Sequence, residues 1–321
     1  MQIFTDICKQ NKPCCAALGF FDGVHIGHTR LLLSMKEYAA ENGFLSAVFT
    51  FSSSPAAALG KTAEIRSLMT LESKLAQLEA MDIDMCFAVD FMKYREVTAE
   101  DFVNDILLDT LNVRAAFCGY NYRFGKFAAG SCALLDDICK ERGAKVYVTA
   151  PVCRKGDTVS STRIRDLIEL GKMHRANTLL GRPFFIEGRV LHGQQNGRTV
   201  GIPTVNQSIP EQFVKPRFGV YASFCVIDGK RFRAVTNIGT RPTVSGTNIN
   251  CETHILDDIN GDLYGKNVRT ELLWFERDER KFPDLTALAK QISLDIEHIN
   301  KMKIYESYKN GGISYGGRSI T

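Results

Sequence analysis

The chain of 321 residues is long enough for two modules, each with a hydrophobic core of its own. At 45% hydrophobic and 24% charged residues, its composition excludes both disorder and a fibrous architecture. With 40 basic against 36 acidic residues, a formal charge of +4 and no lysine or arginine run, it requires no nucleic-acid partner, and no apolar stretch approaches the ~20 residues of a membrane span.

The first ten residues lack a basic start followed by an apolar run, so no secretory signal is read there. The ten cysteines are scattered, with no Cys-x-x-Cys pair, and are expected to be reduced thiols in a cytoplasmic protein. Apolar periodicity then predicts strands at 14–20, 44–51, 85–89, 115–118 and 145–149 alternating with helices at 29–42, 68–81, 99–111 and 131–142. Such alternation buries a mostly parallel sheet between helices, with the ligand at the carboxyl ends of the strands. The apolar company of Cys86, Cys118 and Cys225 reads as buried strand. Between the first strand and the first helix lies Gly19-Phe20-Phe21-Asp22-Gly23-Val24-His25-Ile26-Gly27-His28. Two imidazoles three apart on a glycine-rich turn opening a helix can both face free backbone N–H groups and the positive end of the macrodipole, which is a phosphate site.

A further helix is expected from Ser160-Ser161-Thr162, whose hydroxyls suit an N-cap, through Ile164, Leu167, Ile168 and Leu170 to Leu180, with Gly181-Arg182-Pro183 ending it. The hydroxyls of Ser161 and Thr162 and the guanidinium of Arg165 suit the same polyphosphate. Transfer at phosphorus needs positioning and charge neutralisation, which His25, His28, Arg165 and a bound Mg²⁺ could supply without a side-chain nucleophile.

After Pro183 the character changes. Short strands at 184–191, 219–227, 232–237, 252–256 and 268–275 suggest a small antiparallel barrel, closed by an amphipathic helix from Asp284 to about residue 303. The expected modules are 1–182 and 183–310, with a glycine-rich tail at 311–321. In the stretch 193–206, Gly193, Gly197 and Gly201 let backbone approach a ligand, and Thr204 and Asn206, after Pro203, offer oxygens for a hard cation, so Mg-ATP is the expected ligand. Residues 237–243 read as a rigid polar loop. Glu252 heads a strand and is a candidate general base for an attacking alcohol. His192 and His254 read as structural, and Trp274 as core.

Taken in this order, these motifs resemble the bacterial bifunctional riboflavin kinase and FMN adenylyltransferase family, also called FAD synthetase, over nearly the whole chain. The resemblance rests on His25-Ile26-Gly27-His28, on Ser160 to Arg165, on Gly201, Pro203, Thr204 and Asn206, and on Glu252. It implies a Rossmann-like nucleotidyltransferase followed by a flavokinase barrel with a C-terminal helix. It also implies two Mg²⁺-dependent reactions, riboflavin and ATP to FMN in the second module, then FMN and ATP to FAD and pyrophosphate in the first. By that likeness Gly19, Phe20, Asp22, Gly23, Gly27, Ser161, Thr162, Arg165, Gly193, Gly201 and Pro203 hold ATP or its phosphates, with His25 and His28 stabilising charge. Thr204 and Asn206 hold the metal, Glu252 takes the proton of the ribityl hydroxyl, and Asn121 and Arg277 meet the flavin.

Two positions depart from the family pattern. The histidine of a His-Pro expected after the second strand is missing from Thr50-Phe51-Ser52-Ser53-Ser54-Pro55, and an acidic residue is replaced by Asn121 in residues 119–125. An amide still accepts through oxygen but brings no charge. These departures leave open a chain that is a riboflavin kinase only. A flavin-sensing regulatory protein, binding without turnover, is the other alternative.

Overall fold

The structure is a computed structural model, described for residues 1–58, 60, 66–191, 204–243, 246–259 and 261–308. Its internal contacts divide the chain into two units, Met1–Ser161 and Thr162–Thr321.

The first unit runs β1 (Gln2–Phe4), β2 (Cys14–Leu18), α1 (Ile26–Asn42), β3 (Leu45–Phe51), α2 (Pro55–Ala58), α3 (Leu71–Glu79), β4 (Met85–Val89), α4 (Phe91–Tyr94) and α5 (Ala99–Asp101). A π-helix (Phe102–Thr110), β5 (Val113–Gly119), α6 (Cys132–Glu141), β6 (Lys145–Thr149) and the hairpin of β7 (Cys153–Arg154) and β8 (Asp157–Thr158) complete it. One parallel sheet has the order β1-β4-β3-β2-β5-β6. The chain winds outward from β2 through β3 and β4, then reverses to β5 on the other side of β2. The switch point of this Rossmann-like sheet, where such folds take their ligand, therefore lies beyond the carboxyl ends of β2 and β5. Every residue of β2 is buried, and α1 packs with Leu31, Leu32, Met35 and Ala39. Cys86 and Cys118 are buried in β4 and β5, as their company predicts.

The helix expected over 99–111 is wound differently. Beyond α5 its hydrogen bonds step five residues, with the Leu111 N–H donating to the Ile106 carbonyl at 2.9 Å and the Thr110 hydroxyl to that of Asp105 at 2.6 Å.

The second unit carries α7 (Ser161–Glu169), whose first residue closes the unit before it, then α8 (Met173–Leu180), β9 (Phe184–Arg189), β10 (Thr204–Ile209), β11 (Gly219–Ile227), β12 (Lys230–Thr243), β13 (Gly246–Ile255), β14 (Asn267–Asp278) and α9 (Leu285–Lys301). The single helix expected from 160 to 180 is thus two. Gly171, at φ +70°, donates to the Ile168 carbonyl while the Lys172 N–H reaches back to Leu167, the paired bonds of a Schellman ending. Gly181 ends α8 as expected, and the buried Asn177 of α8 donates to the Leu272 carbonyl of β14 at 2.9 Å while accepting from the Phe184 N–H of β9 at 2.8 Å.

β9 to β14 form an antiparallel sheet of order β10-β13-β12-β11-β14-β9. A bridge from Leu191, just past β9, to Asn206 brings its two edges together, giving a nearly closed barrel. The loop expected at 237–243 is part of β12, paired with β13 as far as Thr243 and Gly246. A buried polar belt crosses this sheet. Ser223, Thr236, Thr253, Thr270 and Gln207 are linked in that order by side-chain hydrogen bonds of 2.7, 3.0, 3.2 and 2.7 Å, so each hydroxyl removed from water keeps a partner. Asp284 caps α9 by accepting from the Ala287 N–H at 2.8 Å. The tail expected at 311–321 lies outside the described residues.

Candidate active sites

In the first unit, β2 delivers the chain into residues 19–28 at the switch point. Phe21 (φ +55°) and Val24 (φ +38°) are held in left-handed backbone around Gly23, a strain that a purely connecting loop does not need. His25 is the N-cap of α1, its Nδ1 accepting from the His28 N–H at 3.2 Å. The two imidazoles stack at 3.6 Å with planes 13° apart, and His28 meets the Phe21 ring edge-on. A Cβ at position 27 would lie 3.2 Å from the His25 ring, so Gly27 is what lets that ring lie over the helix start. Burial, with the charges of His25 and Lys74, holds His28 well below the usual imidazole range, and its buried Nδ1 has no hydrogen-bond partner among the described residues. An uncharged ring with an unmet nitrogen at a helix N-terminus fits a phosphate oxygen.

The loop is braced from three sides. The Asp22 carboxylate accepts from the Leu68 N–H at 2.9 and 3.2 Å, and its carbonyl accepts from the Ser161 hydroxyl at 2.9 Å. Ser161 therefore buttresses the loop from the first turn of α7, and Thr162 and Arg165 follow on the same helix. The third brace, Lys74, is absent from the sequence reading. Only 3% exposed, its ammonium donates to the carbonyls of Phe20 and Phe51 at 3.0 Å each and to the Thr50 hydroxyl at 3.1 Å, under the Phe20 ring. Burial pushes its pKa down to about 8, against the pull of Asp22 and Cys86. The available signal was its place between Leu71 and Leu78 on the apolar stripe of α3, where a lysine is out of keeping. Asn121 follows β5 at the same end of the sheet and is exposed, its Oδ1 resting over Gly119.

In the second unit, strand register assembles the site. Asn206 on β10 and Asn237 on β12 both stand directly across from Glu252 on β13. Thr204, two residues before Asn206, shares its face of the sheet. The buried Asn206 accepts at Oδ1 from Asn250 at 3.0 Å, and Asn237 donates to a second carboxylate, Glu279, at 3.4 Å. Gly193, Gly201 and Pro203 lie outside the described residues, as does His192. Arg277 grips Asp295 of α9 through Nε and Nη2 at 2.6 to 3.0 Å, while its Nη1 donates to the Asp278 carbonyl. His254, read as structural, stands across from Thr204, and its Nδ1 is buried without a partner among the described residues.

A family model described as FAD synthetase matches residues 7–163, and one described as riboflavin kinase matches residues 180–303. The chain is 33% identical over 297 residues to the bifunctional riboflavin kinase/FMN adenylyltransferase of Bacillus subtilis (strain 168), covering 90% of this chain and 92% of that protein. It is 35% identical over 286 residues to the protein of that name in Escherichia coli (strain K12), covering 88% and 91%. A crystal structure titled as a macrolide-efflux protein from Streptococcus pneumoniae superposes with a TM-score of 0.82 at 28% identity, over 92% of this chain and 97% of that one. Among the described residues here, no helix is long and apolar enough to cross a membrane.

Proposed function

From a chain that belongs to the bifunctional riboflavin kinase/FMN adenylyltransferase family, we infer which residues carry each of its two reactions. The protein is an enzyme that phosphorylates riboflavin to FMN with ATP and adenylylates FMN to FAD with release of pyrophosphate. Neither a kinase-only chain nor a flavin-sensing binder is favoured beside relatives that match both halves.

For the kinase, Glu252 takes the proton of the terminal ribityl hydroxyl as its oxygen bonds to the γ-phosphorus of ATP and ADP leaves. Thr204 and Asn206 would hold Mg²⁺, which would neutralise charge on the transferring phosphate. Two neutral oxygen donors suit that ion, which takes most of its remaining ligands from water and phosphate. The observation that carries this reading is the register of Asn206, Glu252 and Asn237 across three strands. Gly193, Gly201 and Pro203 are assigned to ATP, and Arg277 borders the flavin.

For adenylyl transfer, an oxygen of the FMN phosphate attacks the α-phosphorus of ATP and the bond to pyrophosphate breaks. No proton needs removing, because the phosphate is already ionised. Residues Gly19, Phe20, Asp22, Gly23 and Gly27 shape the loop around the triphosphate. His25 and His28 donate to its oxygens, while Lys74, Ser161, Thr162 and Arg165 supply charge and further donors. Asn121 meets the FMN. This partition assigns adenylyl transfer to residues 1–182 and phosphorylation to 183–310, in a cytoplasmic enzyme supplied with ATP.

Chromatography of flavin products over time tests these assignments. His28→Ala should make FMN from riboflavin but no FAD. Glu252→Ala should make no FMN yet convert supplied FMN to FAD. Loss of both products in either variant would refute the separate assignments.

A further inference from the structure

We propose that His254 is a substrate-contacting residue of the kinase site, its Nδ1 donating to a phosphate oxygen of ATP beside Thr204; this rests on the assignment of Thr204, Asn206 and Glu252 made above. Two observations carry it. First, β13 alternates. Thr253 faces the polar belt, bonded to Thr236 and Thr270, so the side chains on either side of it, Glu252 and His254, share the opposite face. On that face Glu252 stands across from Asn206 and His254 across from Thr204, with Val235 on the other flank. The carboxylate and the imidazole thus form consecutive rungs opposite the two residues assigned to metal and phosphate. Second, the Nδ1 of His254 is buried and has no hydrogen-bond partner among the described residues. A histidine serving only to fill space leaves such an atom paired or wet, because an unmet buried polar group is costly.

Initial rates of FMN formation with ATP and riboflavin varied in turn test the proposal on full-length His254→Leu, His254→Asn and His254→Gln. Glu252→Gln and FAD formation from supplied FMN run alongside. Removing the donor in His254→Leu should raise KM for ATP about tenfold, leaving KM for riboflavin and FAD formation unchanged. His254→Asn, whose amide sits near the place of Nδ1, should recover most of the loss. His254→Gln, whose amide sits near Nε2, should not. If His254→Leu fails to fold, the Asn and Gln pair decides alone. An unchanged KM for ATP, equal rescue by both amides, or a change confined to riboflavin would overturn the proposal. FMN formation that survives Glu252→Gln would instead overturn the site assignment beneath it.

Discussion

A single methyl group added at residue 27 tests how closely the two imidazoles depend on each other. The added Cβ of Gly27→Ala would press the His25 ring from 3.2 Å, and that ring both caps α1 and stacks on His28. A displacement approaching an ångström there should slow FAD formation about 10- to 100-fold, with FMN formation unaffected. Parallel rate measurements of the two steps would show it, and a normal FAD rate would remove His25 from the site. Residues 19–28 were legible because they are contiguous and their chemistry is local. Lys74 and His254 were not, since one gains its role from the carbonyls of Phe20 and Phe51, far from it in sequence, and the other from strand register. His254 also makes a prediction for pH. The unfolded ring takes up a proton below about 6.5, whereas the folded ring refuses it until about 4. Its contribution to stability is therefore whole above the first value and lost as pH falls to the second, by up to about 3 kcal/mol. Urea unfolding midpoints followed across that window should decline less steeply in His254→Asn than in the unaltered chain.

At the scale of elements, the alternation of strand and helix was legible in the first unit because apolar periodicity there matches the burial of a parallel sheet. Three features escaped it. Apolar spacing does not distinguish a π-helix at 102–110 from an α-helix, since both bury one face. The break at Gly171 falls where Leu170 continues the apolar stripe, which concealed the turn between α7 and α8. β12 runs on to Thr243 because β13 pairs with it, so residues 237–243 are strand rather than loop. Lys74 ties such elements together, joining the ends of β2 and β3 from α3. Lys74→Met would leave the Phe20 and Phe51 carbonyls and the Thr50 hydroxyl without this donor, costing about 2 kcal/mol. Denaturant unfolding should show that loss in the first unit, and FAD formation should fall further than stability alone requires, because the ammonium also supplies charge beneath the phosphate loop. Unchanged unfolding and unchanged FAD formation would show the three bonds to be incidental.

Across the whole molecule, the two proposed sites are built around different sheets, residues 19–28 and Lys74 at that of the first unit, and Thr204, Asn206 and Glu252 on that of the second. One uses a helix start at a switch point, the other a row of side chains across three antiparallel strands. Nothing in either set of residues requires the other, so the intermediate FMN should be free to leave one chain and enter another. Full-length His28→Ala and Glu252→Ala, each blocked at a different step, should therefore complement when mixed with riboflavin, ATP and Mg²⁺. FMN made by the first variant should accumulate in solution, and after a lag the second should turn it into FAD. The lag should shorten as the Glu252→Ala protein is raised at fixed His28→Ala, since the second step then draws on the common pool faster. A mixture that yields FMN but never FAD, although Glu252→Ala still converts FMN supplied from outside, would mean that FMN made by one chain is withheld from another, and the independence of the two sites would fall with it.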